Sequence, residues 1–264
     1  MNRFLAGITA DKRDEVAAAK ARLSEAELSA RLGDLPACRR FGQALTGPGT
    51  RIIAEVKRRS PSVSAFLQQG APADLAAVYA AAGASALSLV VDEARFGTSP
   101  ADIQPMKAAV DLPLIAKEFI VDPYQVKALR LAGADAVLLI ARLLDGPQLA
   151  ELHALAVGLG LDVLVECHDL SDVERALFAE ATLVGINNRD LDTFTVTLDT
   201  SRDLLGRIPS TCRRVVESGV GRRDEITELE ALGADAFLIG GSLLQDPDPA
   251  ARLRSYLGTD EVTP

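Results

Sequence analysis

Three stretches of this chain share one form. Ala82-Gly-Ala-Ser-Ala-Leu-Ser-Leu89, Ala132-Gly-Ala-Asp-Ala-Val-Leu-Leu139 and Leu232-Gly-Ala-Asp-Ala-Phe-Leu-Ile239 each read as a helix ending at glycine, a short turn and a buried strand. Glycine at a helix end allows the left-handed C-cap. Eight apolar runs read as strands: Ile52–Val56, Ala86–Val91, Leu114–Lys117, Ala136–Ile140, Asp162–Cys167, Leu183–Asn187, Arg214–Glu217 and Ala236–Ile239. Between them lie helix-like segments such as Pro72–Ala82, Pro123–Ala132, Pro147–Leu159, Ser171–Ala179 and Arg223–Leu232. Alternating β and α argues for a parallel sheet, and strands rich in Val, Ile, Leu and Ala suit burial on both faces. The repeats lie two and then four βα units apart. That spacing is expected of a (β/α)8 TIM barrel and less of an open, doubly wound sheet. No G-x-G-x-x-G follows a strand, so a dinucleotide-binding fold lacks support.

The 264 residues are the size of one such barrel, and 48% are apolar, enough for a large core. The expectation is a single unit spanning 1–264, with a helical N-terminal extension over 1–50, the barrel over 51–257 and a tail over 258–264. Within the extension, Thr9–Leu35 reads as one helix with Val16, Ala19, Leu23 and Leu28 as its apolar positions. Pro36 breaks it, Phe41–Leu45 reads as a further short helix, and Gly47-Pro-Gly49 as a turn. The extension is expected to cover one end of the main fold; a lid over a site is the sharper alternative. No apolar run reaches the ~18 residues of a membrane span. The first residues lack the apolar segment of a secretory signal. Cys38, Cys167 and Cys212 are odd in number and far apart, which suits a reducing cytosol and neither a disulfide framework nor a metal site. A net charge of −9 argues against nucleic acid as a partner, and an anionic substrate then needs a local basic pocket.

Barrel chemistry sits at the C-terminal ends of the strands. There the chain places Glu55 and Lys57 with Ser60 and Ser62, Lys117-Glu-Phe119, Glu166-Cys-His168, Asn187-Asn-Arg189, Glu217-Ser-Gly219 and Gly240-Gly-Ser242. Side chains two apart share a strand face, so Glu55 and Lys57 point the same way. The bland reading of Arg51–Ser62 is an edge strand with one solvated ion pair. Convergence of polar groups from nearly every strand onto one end argues against it. If Glu166 points inward, so does Leu164, while Val165 and Cys167 face the helices. Cys167 then packs in the outer layer and forms no nucleophile–base dyad with His168. His153 falls in a helical pattern as a surface or packing residue. The glycine turns after strands seven and eight let backbone N–H groups approach an anion.

Together these motifs resemble the indole-3-glycerol phosphate synthase family of tryptophan biosynthesis. The resemblance is carried by Ile53-Ala-Glu-Val-Lys57 with Ser60-Pro-Ser62, Lys117-Glu-Phe-Ile-Val-Asp-Pro-Tyr-Gln125, Leu164-Val-Glu166, Gly185-Ile-Asn-Asn-Arg-Asp-Leu191, Glu217-Ser-Gly219 and Leu238-Ile-Gly-Gly-Ser-Leu243. It covers almost the whole chain. It implies a cytoplasmic, cofactor-free and metal-free carboxy-lyase acting on a phosphorylated anthranilate–sugar adduct, as a monomer or weak dimer. It implies that Lys117 and Lys57 are catalytic lysines, Glu166 a general base, and Glu55 and Glu217 supporting carboxylates. Asn187 and Arg189 would orient the substrate. Ser60, Ser218, Gly219, Gly240 and Gly241 would lie on the substrate and phosphate side, with Phe96 and Phe119 as aromatic walls.

The chain departs from the family pattern at three places. Val63 and Ser64 replace a basic residue and glycine, Phe96-Gly-Thr-Ser99 replaces a longer loop, and Glu118 replaces aspartate. Serine narrows the backbone range, and Val63 removes a positive charge near an anionic substrate, so a slower loop and weaker attraction are expected. Two other readings stay open: a paralogue acting on a substituted anthranilate adduct, and a catalytically weak phosphosugar-binding barrel. A neighbouring barrel family, phosphoribosylanthranilate isomerase, uses a strand-one cysteine where this chain has Glu55 and Lys57.

Overall fold

The computed structural model describes residues 3–60, 70–191 and 193–259. Their strands are β1 (Ile52–Val56), β2 (Ala86–Val90), β3 (Leu114–Lys117), β4 (Ala136–Ile140), β5 (Asp162–Cys167), β6 (Leu183–Asn187), β7 (Arg213–Glu217) and β8 (Ala236–Ile239). Each pairs in parallel with the next, and β1 pairs with β8, so the sheet is a closed (β/α)8 barrel with helices between the strands. Closure removes every edge, which rules out the edge-strand reading of Arg51–Ser62. The boundaries follow the apolar pattern to within a residue. β2 ends at Val90, yet the Val91 N–H still donates to Lys117 O at 2.9 Å, so the ladder continues past it.

The repeats have a structural cause. Gly83, Gly133 and Gly233 sit at φ +98°, +98° and +105°, a region that side chains other than glycine's rarely adopt. The next N–H, of Ala84, Ala134 or Ala234, reaches back to Tyr79 O, Leu129 O or Leu229 O at 2.9–3.0 Å, closing the helix end. The aspartates of the second and third copies then serve the neighbouring strand. Asp135 accepts the Leu114 N–H at 2.9 Å, and Asp235 accepts the Arg214 N–H at 2.8 Å. In return the Asp135 and Asp235 N–H groups donate to the Leu114 and Arg214 carbonyls. The first copy has Ser85, whose N–H makes the equivalent backbone bond to Ile52 O.

The N-terminal extension differs from the expected single helix. The stretch expected as one helix, Thr9–Leu35, falls in two, Arg3–Arg22 and Glu25–Ala30, and the expected short helix is Phe41–Ala44. The break is a capping box that the pattern reading missed. Ser24 Oγ accepts the Glu27 N–H, and the Glu27 carboxylate accepts the Ser24 N–H at 3.0 Å. The four expected apolar positions do pack: Val16 and Leu28 are buried with Tyr124, and Ala19 and Leu23 lie against them. The Tyr124 hydroxyl donates to Leu23 O at 2.9 Å, fixing this helix end to the helix Pro123–Ala132.

The extension serves both ends of the barrel. At the N-terminal ends of the strands, Phe41 and Leu45 are buried in the main core. There the Gly42 N–H donates to Asp162, and Arg39 donates to the Val110 and Leu112 carbonyls. At the other end Lys12, only 2% exposed, lies 3.1 Å from Asp92 after β2 and 3.1 Å from Glu118 after β3. It thereby clamps the first helix to two loops at the mouth. Removing the cation would leave two poorly solvated carboxylates without their shared partner. Lys12→Met is expected to cost about 3–5 kcal/mol in urea unfolding, whereas Arg22→Met on the exposed face of the same helix should change little.

Candidate active site

The mouth of the barrel opens into a cavity of about 510 Å³. Of the residues proposed from sequence, Glu55, Lys57, Ser60, Phe96, Lys117, Phe119, Glu166, Asn187, Arg189, Ser218, Gly219, Gly240 and Gly241 all line it. Glu217 is brought to the same place but lies beneath the surface, 1% exposed, reaching the cavity through Lys117. Ser62, Val63 and Ser64 lie outside the described residues.

The floor is built on strand parity. β1 turns Glu55 inward with Lys57 two residues on, and the Lys57 ammonium donates to Glu55 Oε1. β3 supplies Lys117. Its Nζ lies 2.8 Å from Glu217 Oε2, 3.7 Å from Glu55 Oε2 and 3.8 Å from Glu166 Oε2. One ammonium is thus shared among carboxylates from β1, β5 and β7. Burial pushes the Lys117 amine down, but Glu217, Glu55 and Glu166 outweigh it and hold it well above the ordinary lysine range. Burial pushes the Glu55 carboxyl up, yet Lys57 and Lys117 keep it below its usual value. Glu217 goes the other way. Burial, with repulsion from Glu166 and Glu55, outweighs Lys117 and lifts it to about 7.

Two glycines make room for these acids. A Cβ on Gly185 would overlap Glu217 Oε1. A Cβ on Gly240 would overlap Glu55 Oε1 and stand 2.9 Å from its Cβ. Sequence reading placed Gly240 at an anion-binding turn. The packing adds that Glu55 occupies the space a side chain would need.

The walls come from loops. Phe96 ends the short helix Glu93–Phe96, and its carbonyl accepts the Arg58 and Arg59 N–H groups at 3.0 and 3.1 Å, joining the loops after β1 and β2. After β6 the chain turns back on itself, with a bridge between Arg189 and Val196. Leu191, Phe194 and Val196 thereby face the cavity, as do Leu138 and Ile140 from β4. Sequence reading missed these apolar walls: loop residues carry no period, and the β4 pair merged with the general core pattern.

Asn188 was also missed. It is buried, and its amide donates to Glu217 O at 3.1 Å and Ser218 O at 3.0 Å while accepting from Ser201 N and Oγ. It holds Ser218 in the left-handed region at φ +62°, a conformation costly for serine unless the surroundings over-determine it. Asn187, one residue earlier, accepts the Arg189 N–H at 3.0 Å.

Fold and site together define a class: a (β/α)8 barrel whose strand C-termini gather two lysines among three carboxylates beside a glycine- and serine-rich rim, an arrangement suited to general acid–base chemistry on an anionic ligand. The family model described as indole-3-glycerol phosphate synthase matches residues 5–256. The indole-3-glycerol phosphate synthase of Azoarcus sp. is 42% identical over 264 residues, spanning 98% of this chain and 100% of its own. That of Bordetella pertussis is 41% identical over 257 residues, spanning 96% and 98%. The chain belongs to the indole-3-glycerol phosphate synthase family. Among solved structures, the thiamine phosphate pyrophosphorylase from Pyrococcus furiosus matches with a TM-score of 0.58 at 13% identity, over 80% of this chain and 94% of that one, a likeness of fold alone.

Two outcomes follow from the site's packing and charge. Gly240→Ala should cost about 1–3 kcal/mol in urea unfolding as Glu55 is displaced. Gly241→Ala, where an added Cβ would meet nothing within 4 Å among the described residues beyond its own stretch of chain, should cost far less. The second outcome concerns pH. Burial raises Glu118 to about 7, as it does Glu217, from an ordinary 4.5. A carboxyl with a raised folded-state value binds its proton more tightly when folded. Its stabilising contribution is complete below 4.5 and is lost as pH rises through about 7. Thermal stability should therefore decline over this window, and Glu118→Gln, which carries no titrating group there, should flatten the decline.

Proposed function

We propose that the chain is an indole-3-glycerol phosphate synthase, a carboxy-lyase converting 1-(2-carboxyphenylamino)-1-deoxyribulose 5-phosphate to indole-3-glycerol phosphate with loss of carbon dioxide and water. The observation that carries this reading is Lys117 held among Glu217, Glu55 and Glu166 at the cavity floor, with the Lys57–Glu55 pair beside it. Ring closure needs the C2′ carbonyl polarised as the carboxylate-bearing ring carbon attacks it. Dehydration then needs a proton donor for the departing hydroxyl and a base for the proton lost as the pyrrole becomes aromatic.

Lys117 and Lys57 supply the cationic donors, and Glu166 the base. Lys117 is a poor acid while its carboxylate neighbours hold its proton. A substrate oxygen that displaces one of them makes donation easier, so proton transfer is tied to occupancy. Glu55 and Glu217 keep the lysines charged and in place. Asn187 and Arg189 orient the adduct, and the apolar walls, with Phe96 and Phe119, enclose its aromatic ring. Ser60, Ser218, Gly219, Gly240 and Gly241 form the phosphate side. The Gly241 and Ser242 N–H groups, at the start of the helix Gly241–Leu244, have no acceptor within the helix and so suit an oxyanion, whereas those of Leu243 and Leu244 donate to Gly240 O. No cofactor enters the scheme. The free cysteines Cys38, Cys167 and Cys212 support action in a reducing cytosol.

The test is direct. Purified protein given the carboxyphenylamino sugar phosphate should produce a rise in indole fluorescence. Lys117→Ala and Glu166→Gln should each lower kcat by about 10²–10⁴-fold while changing KM much less. Near-normal turnover in either variant, with the product verified, would move the chemistry to other residues.

A further inference from the structure

His168 has no place in this scheme, yet it touches the residue proposed as base. It follows β5, and the two-residue period returns its side chain to the side of Glu166. The side chain is 4% exposed. Nε2 lies 3.3 Å from Glu166 Oε1, and Nδ1 lies 3.6 Å from Asp172 Oδ2. Both nitrogens are buried, and neither makes a well-aligned hydrogen bond.

Asp172 is built to stay in place and stay charged. It belongs to the helix Leu170–Phe178 and is fully buried. Its Oδ2 accepts the His168 backbone N–H at 2.9 Å, Arg175 pairs with Oδ1, and Arg142 after β4 reaches Oδ2 at 3.4 Å. Burial pushes this carboxyl up, but the contacts with His168, Arg142 and Arg175 outweigh it and hold it below its ordinary range. Once Glu166 carries a proton, Asp172 is the anion left beside the imidazole; it favours hydrogen on Nδ1, which leaves the Nε2 lone pair directed toward the Glu166 carboxyl. Glu166 therefore has Lys117 near one oxygen and the imidazole near the other.

We propose that His168 is a positioning residue that resets Glu166, taking from it the proton that Glu166 has removed from the substrate. The Glu166 O–H bond breaks as the Nε2–H bond forms, giving a carboxylate and an imidazolium stabilised by Asp172. The imidazolium holds the proton until product leaves, then returns it by way of Glu166, which lines the cavity, to water, and Glu166 is ready for another turnover. This inference rests on the ring-closure reading.

The experiment uses the carboxyphenylamino sugar phosphate with wild type, His168→Gln and His168→Ala. Glutamine keeps an amide near the Nε2 position but takes no proton there. Both variants should lose about 10–10²-fold in kcat with KM little changed, and the pH profile of kcat should alter its acidic limb. Added imidazole should restore turnover in His168→Ala in proportion to its unprotonated fraction. The proposal is overturned if His168→Gln turns over at the wild-type rate. A loss accompanied by a wild-type pH profile and no imidazole rescue also overturns it, because that pattern marks a purely structural residue. Should His168→Ala fail to fold, the kcat and pH profile of His168→Gln decide alone. A wild-type protein that makes no product defeats the ring-closure reading instead.

Discussion

The ammonium of Lys117 is the point on which the barrel's interior depends. Three carboxylates from β1, β5 and β7 meet within 4 Å of it, and all three are nearly or fully buried. Without the lysine they would repel one another in a poorly solvated space, and without them the lysine would be an unpaired buried charge. Taking ions out of water costs several kcal/mol each, so such a cluster is poor evidence for stability. It is retained at an open cavity, where a ligand can exchange for one of the partners. Gly185 and Gly240 belong to the same constraint. Each gives up its side chain so that a carboxylate can turn inward.

A second buried lysine ties the extension to this arrangement. Lys12 reaches Glu118, the residue immediately after Lys117, and Asp92, which caps the helix that ends in Phe96. No residue of the extension lines the cavity, so it does not act as a lid there among the described residues. It holds the backbone on either side of the cavity wall. The Glu118 side chain spans that distance and also accepts the Phe119 N–H at 2.7 Å. The chain thus fixes Lys117 from behind as well as from within.

The fold was legible because its signals are periodic. Parallel strands buried on both faces stand out as short apolar runs, and the repeated glycines punctuate them. Parity set Glu55 and Lys57 on one face, and the convergence of polar strand ends placed Glu166 at the same mouth. What escaped the reading has no period. The break at Ser24 needed a capping box recognised inside an alanine-rich helix. Phe194 and Val196 reach the cavity only because the chain reverses between Arg189 and Val196. Asn188 lies between two residues singled out from the family pattern, and its function is to brace backbone, which residue type alone does not announce. His168 was weighed only as a partner for Cys167. Parity sets it on the side of Glu166, but its contact with Asp172 depends on where the following helix begins.

The two ends of the barrel use carboxylates differently. At the N-terminal end, Asp135, Asp162 and Asp235 accept backbone N–H groups from Leu114, Gly42 and Arg214. Those donors are fixed in the chain, the bonds persist whatever the ligand, and no ligand can take their place. At the C-terminal end, Glu55, Glu166 and Glu217 face lysines on flexible stems. A lysine can leave one oxygen for another with little backbone movement, so these contacts can change during a reaction. Backbone donors make the first set of contacts permanent, and flexible ammonium groups make the second exchangeable, while Lys12 shows that a buried ammonium can also serve as a clamp. Tertiary position decides which of the two kinds of contact an acidic side chain in this barrel makes.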